Sequence, residues 1–186
     1  MPSELSRWKV DDIGIGAVIS VTSSHDLLVM CDKSNKLKLF STDGLLRMTV
    51  DLQPDIVNVT SAMELIPGHY LVTHGKDSDK LHRVCLVNSE SKILRAYGGF
   101  KGSYGTLLDC PKAVAIDGDG FVYVMEERTD RLVVLNPTLE CIQCIKHDLQ
   151  SGWRIIKTDK ALKRIFVGHR KISNGYYVQF VAIFEI

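Results

Sequence analysis

The chain has 186 residues, 45% of them hydrophobic, and its 23 Lys and Arg against 22 Asp and Glu leave a formal net charge of +1. That length suffices to bury a core, whereas a charge so near zero argues against a uniformly cationic nucleic-acid binder. No apolar run is long enough to span a bilayer, and five scattered cysteines, an odd number, fit reduced thiols better than a disulfide framework.

Residues 1–12 are polar and mixed in charge, without the apolar stretch of a secretory signal. Within them Ser6-Arg7-Trp8-Lys9-Val10 alternates like a strand. Beyond this segment short strand patterns dominate over any helical period. Leu27-Leu28-Val29-Met30 and Leu37-Lys38-Leu39-Phe40 are strands, as are Tyr70-Leu71-Val72-Thr73 and Arg83-Val84-Cys85-Leu86-Val87. Tyr97-Gly98-Gly99-Phe100 and residues 101–105 look like an inserted loop, rich in turn formers. The most regular stretch follows. Ala113-Val114-Ala115-Ile116 is a strand, Asp117-Gly118-Asp119-Gly120 a tight turn, and Phe121-Val122-Tyr123-Val124 a second strand. A polar connection over 126–131 leads to Leu132-Val133-Val134-Leu135, and Pro137, which lacks an N–H, stops the pairing. Cys141-Ile142-Gln143-Cys144 is formally a C-x-x-C, but on a regular strand positions i and i+3 face opposite sides, so both thiols read as packing residues. Strands at 165–168 and 178–184 close the series.

These strands repeat. Val29, Val72, Val124 and Val167, one in each second strand, are 43, 52 and 43 residues apart, a period typical of four-stranded propeller blades. The sequence therefore predicts an all-β fold, a β-propeller of about four four-stranded antiparallel blades, over 13–50, 54–98, 108–145 and 150–186. Residues 6–10 are the expected fourth strand of the last blade.

Tyr97-Gly98-Gly99-Phe100, then Pro111-Lys112-Ala113-Val114-Ala115-Ile116-Asp117, Asp119-Gly120-Phe121-Val122-Tyr123-Val124 and Asp130-Arg131-Leu132-Val133-Val134-Leu135 together resemble an NHL repeat. The other three units share its apolar spacing and fewer of its signature residues: Asp32, Ser34 and Asn35 before Leu37 match in part, and Ile66-Pro67-Gly68-His69 replaces the Asp-Gly turn. NHL propellers occur in tripartite-motif proteins, so the resemblance implies a substrate-recruiting module of a ubiquitin-ligase-like parent. Rings of this type usually hold about six blades, which leaves open whether four blades close a ring or belong to a larger one. Unclosed blades would invite edge pairing or self-association.

In a meander all loops from second to third strand gather at one end. There the sequence places Lys33, Lys36, Lys76, Lys80, His82, Arg128, Arg131, Arg170, Lys171, Tyr176 and Tyr177, opposed by Asp32, Asp77, Asp79, Glu126, Glu127 and Asp130. This mixed, mildly basic face is the expected binding site for a protein partner, with Tyr and Arg as anchors. Single-stranded RNA is the alternative ligand: residues 146–186 carry eight Lys and Arg against three acids, but those at 157–164 belong to the opposite end from Arg170 and Lys171. A metal-dependent enzyme is a third reading, in which His74 and His169, at equivalent positions, would point to one end of the ring. The expectation is a non-catalytic, cytoplasmic protein without a cofactor.

Overall fold

The computed structural model describes residues 7–11, 18–31, 35–76, 78–100, 108–129, 131–146, 155–161, 163–173 and 176–185, and for 155, 169–173 and 176–180 it describes the backbone course alone. Among these residues there is no helix. Fifteen strands form four antiparallel sheets.

Blade 1 comprises β1 (Val18–Val21), β2 (Leu27–Cys31), β3 (Lys36–Phe40) and β4 (Leu46–Asp51). Blade 2 comprises β5 (Val59–Ile66), β6 (His69–His74), β7 (Leu81–Asn88) and β8 (Ile93–Phe100). In blade 3 are β9 (Pro111–Ile116), β10 (Val122–Glu126), β11 (Arg131–Leu135) and β12 (Cys141–Lys146). Blade 4 has three strands, β13 (Ile155–Asp159), β14 (Arg164–Ser173) and β15 (Tyr176–Glu185). Each sheet is a simple meander in sequence order.

Strand alternation builds the core as layers between blades. Leu28, Met30, Leu37 and Val50 of blade 1 meet Tyr70, Val72, Cys85 and Val87 of blade 2. The other face of blade 2, with Leu71, Val84 and Leu86, meets Val114, Val124 and Val133 of blade 3. Ala113, Tyr123 and Leu132 then cover Ile156, Ile165 and Val167 of blade 4. Period-two patterning with both faces apolar is what a blade flanked on both sides requires. Inner strands β1, β5, β9 and β13 line one cavity of about 290 Å³. The outward flanks of the first and last blades are exposed in part, with Ile19 and Val21 58% and 63% exposed, and Val181 and Ile183 68% and 57% exposed.

One turn is used five times at one end of the sheets. Its first residue offers a side-chain or backbone acceptor and its fourth takes positive φ: Thr22 with His25 (65°), Ser41 with Gly44 (89°), Asn88 with Ser91 (69°), Asp117 with Gly120 (85°), and Asn136 with Leu139 (61°). In each, the N–H of residue one donates to the carbonyl of residue five at 2.9–3.1 Å. Asp117 uses both oxygens: its Oδ1 accepts from the N–H groups of Asp119 and Phe121, both at 2.9 Å, and its Oδ2 from the Tyr123 hydroxyl at 2.8 Å. These are Asx and Ser/Thr turns, in which the side chain replaces a backbone acceptor.

Three expectations need correcting. Residues 7–10 form no strand and do not join blade 4; they lie over the outer flank of blade 1, where Val10 packs on Val29, Cys31 and Phe40 and Trp8 covers Gly44 so closely that a Cβ there would meet its Cγ at 2.7 Å. Ser6 lies outside the described residues. A flank bare of a neighbouring blade has more apolar surface to offer than a strand edge, which explains the choice. Tyr97-Gly98-Gly99-Phe100 is not an insertion loop but the end of β8, with Gly98 opposite Arg83 and Gly99 opposite His82. Gly98 has φ 103° and its Cβ would lie 2.3 Å from the His82 carbonyl oxygen, so glycine is required by contact as well as by conformation. Most of the segment 168–177 is strand: β14 and β15 pair from Arg164↔Glu185 up to Ser173↔Tyr176, and residues 174–175 lie outside the described residues.

Candidate partner-binding face

The end opposite the five repeated turns is irregular, and it is where a scaffold of this kind can vary without disturbing its layers. It is assembled from the second-to-third-strand loops and from the connections that carry the chain to the next blade, because β4, β8 and β12 all return there. Hydrogen bonds tie these pieces together: the Leu52 N–H donates to the Asn35 carbonyl at 3.0 Å, and the Asn58 amide to both Asp79 carboxylate oxygens at 3.0 and 2.9 Å. Asp79 also accepts from the Lys76 N–H at 2.7 Å.

Charged groups on this face largely satisfy one another. Lys36 pairs with Asp51, Arg83 Nη2 with Asp55 Oδ2 at 2.6 Å, and Lys112 with Glu127 at 3.2 Å. The Arg83 guanidinium holds the Asp55 carboxyl below the usual carboxylate range. The most enclosed pair is Glu126 with Arg131, whose side chains are 0% and 11% exposed. Arg131 Nε donates to Glu126 Oε2 at 2.6 Å and Nη2 to Oε1 at 3.0 Å, the two-pronged geometry that suits a guanidinium and a carboxylate. Glu126 also accepts from the Asp109 N–H at 2.7 Å and from the Thr129 hydroxyl, so the chain entering blade 3 is anchored to its second strand.

Two buried histidines stand behind this layer. His74 Nε2 accepts from Arg83 Nε at 3.1 Å, which leaves the ring proton on Nδ1. Burial, with the Arg83 guanidinium beside it, brings the His74 pKa down from 6.5 to about 4. His82 Nδ1 accepts from the Cys110 N–H at 2.9 Å and lies 3.4 Å from Asp109 Oδ1. His82, Asp109 and Cys110 offer three ligand atoms within 4.8 Å of one another, the group among the described residues best disposed to hold a cation. His74 stands apart from that group, and nothing is described of the His169 side chain.

Among the expected contact residues, Lys76, Lys80 and Arg128 are exposed and share the face. Lys36 is half-buried and paired, Arg131 is locked to Glu126, and His82 is 0% exposed, so these last two are corrected from contact residues to parts of the support. His82 is the second residue of β7, whose alternate residues Val84 and Leu86 also face blade 3, and that alternation is the signal for its burial. Arg170, Lys171, Tyr176 and Tyr177 lie on the two strands of the long hairpin, opposite Gln179, Val178, Ser173 and Ile172 respectively. Lys33 falls outside the described residues, as do Asp32, Asp77 and Asp130. Sequence reasoning missed Asp55 and Asp109, which come from connections between blades, and Arg83, which lies on β7.

A larger cleft of about 480 Å³ opens between blades 3 and 4 near the other end, lined by Phe121, Tyr123, Ile142, Ile165 and Phe184 with Lys160 and Lys163 at its rim. It lies beside β12, and among the described residues blade 4 has three strands.

No family model matches the chain, and none of the curated proteins matches it. Solved structures do. A catalytically inactive virginiamycin B lyase from Staphylococcus aureus, crystallised with quinupristin, is similar over 96% of this chain and 58% of its own, with a TM-score of 0.63 and 14% identity. The Cps50 (Swd1) β-propeller domain of Myceliophteria thermophila is similar over 82% of this chain and 48% of its own, with a TM-score of 0.61 and 14% identity. A streptogramin B lyase structure gives 0.59 and 14% identity over 90% of this chain and 53% of its own. The chain is a β-propeller. It spans about half to three-fifths of the length of these neighbours, and identity at this level speaks to fold alone. Among the described residues no helix is long and apolar enough to cross a membrane.

Proposed function

We propose that this propeller is a non-catalytic interaction module that docks a protein through its irregular face. The observation carrying this reading is the internal pairing of charge there: Lys36, Arg83, Lys112 and Arg131 each hold a carboxylate of the same chain, and the exposed cations Lys76, Lys80 and Arg128 are few and scattered over a polar surface. A protein interface uses such a surface; an RNA track needs contiguous unpaired cations with stacking aromatics. In this reading Lys33, Arg170, Lys171, Tyr176 and Tyr177 complete the contact surface, and the NHL resemblance makes the module the substrate-recruiting part of a ubiquitin-ligase-like parent. The bare flanks carrying Ile19, Val21, Val181 and Ile183 pair with further blades, from a second copy or a longer chain.

A salt series separates the two ligand classes. Affinity for a short single-stranded RNA that falls steeply between low and physiological salt would replace the protein reading; no RNA binding at low salt supports it. A catalytic reading draws on the cluster of His82, Asp109 and Cys110 and on the lyases among the structural neighbours. Against it, His82 Nδ1 already accepts the Cys110 N–H, so that nitrogen is engaged in tying blade 2 to the chain entering blade 3.

A further inference from the structure

Cys141 and Cys144 take no part in that face. They lie on β12, the outer strand of blade 3, where Leu135 pairs with Cys141 and Val134 with Gln143, so that Ile142 is an extra residue in a bulge. The bulge cancels the alternation that would send residues i and i+3 to opposite sides. Both thiols are exposed and their sulfurs are 3.6 Å apart. Around them stand groups from other strands: the Tyr97 phenol, on β8 of blade 2, hydrogen-bonds Cys141, and the Arg131 guanidinium on β11 is close enough to Cys144 to favour its thiolate. Burial and the bond to Cys141 act the other way and push the Cys144 thiol up.

We propose that Cys141 and Cys144 form a two-sulfur chelate for a thiophilic divalent cation of the zinc type. Two zinc–sulfur bonds of about 2.3 Å at a tetrahedral angle set the sulfurs about 3.8 Å apart, close to the separation already present. A disulfide would instead require closure to about 2.0 Å. On binding, each thiol gives its proton to solvent and two metal–sulfur bonds form, with no change of oxidation state. Tyr97 then donates its hydroxyl hydrogen to the Cys141 thiolate, and Arg131 faces the Cys144 thiolate. Two coordination positions are left to water, which makes this an exchangeable site rather than a structural one.

The test is titration of the full chain, kept reduced with a phosphine, using Zn²⁺ against a chromophoric chelator and Cd²⁺ followed by its sulfur-to-metal absorption band. One equivalent should bind with release of two protons. Cys141→Ser and Cys144→Ser, exposed positions whose folding is checked by circular dichroism, should each abolish the band, and Tyr97→Phe should weaken binding by roughly tenfold. A band that survives in Cys144→Ser would overturn the proposal. So would a stoichiometric ion retained when both cysteines are replaced, which would assign it to His82, Asp109 and Cys110.

Discussion

Mild acidification should destabilise this protein, and His74 is the reason. Its ring is fully buried, takes a hydrogen bond from Arg83, and is surrounded by Arg83, Asp55, Asp79 and His82. With a pKa of 6.5 in the unfolded chain and about 4 in the folded one, the unfolded state binds more protons between those values. The stabilisation is therefore complete above about pH 6.5, falls as pH drops, and levels off below about pH 4. One pKa unit corresponds to about 1.4 kcal/mol, so the loss is about 2 kcal/mol by pH 5 and about 3 kcal/mol in all. The Asp55 and Asp43 carboxyls are held below the usual carboxylate range, by Arg83 and by the Ser41 hydroxyl respectively. Urea unfolding followed by circular dichroism at a series of pH values would measure the slope. His74→Gln, which keeps an acceptor for Arg83, should flatten it between about pH 6.5 and 5. Parallel slopes for the two proteins would refute the assignment.

Glu126→Ala should cost about 3–5 kcal/mol, because it strands the Arg131 guanidinium and the Asp109 N–H; a denaturant-midpoint change equivalent to less than about 1 kcal/mol would mean the pair behaves as an exposed one. Gly98→Ala should lower stability by roughly 1–3 kcal/mol, since φ of 103° and the His82 carbonyl both oppose a Cβ; an unchanged melting temperature would contradict this. Val10→Asp should lift residues 7–11 from blade 1, and the rate of Cys31 alkylation reads the outcome: faster if the segment covers it, the same if it does not.

Blade 3 was the most legible because Asp117, Gly118 and Gly120 announce their turn while the strands beside them are apolar on both faces. The same turn went unread elsewhere because its positive φ is taken by His25, Ser91 and Leu139, residues that do not advertise it. The Cys141 and Cys144 geometry depends on a bulge set by pairing with β11, which strand periodicity alone cannot supply. Pairing of Arg83 with Asp55, or Arg131 with Glu126, converts residues that look like free contacts into supports, and only the assembled blades bring the first pair together.

The docking face is tested most directly by site-specific photocrosslinking in cells. A benzophenone side chain would be placed at residues 76, 80 or 128, and in parallel at residues 43, 67, 119 or 138 of the opposite end. Protein adducts confined to the first set, and lost when Lys76 and Arg128 are changed to Glu in a chain carrying the probe at residue 80, are the predicted result. Equal adducts from both ends, or adducts to RNA, would contradict it.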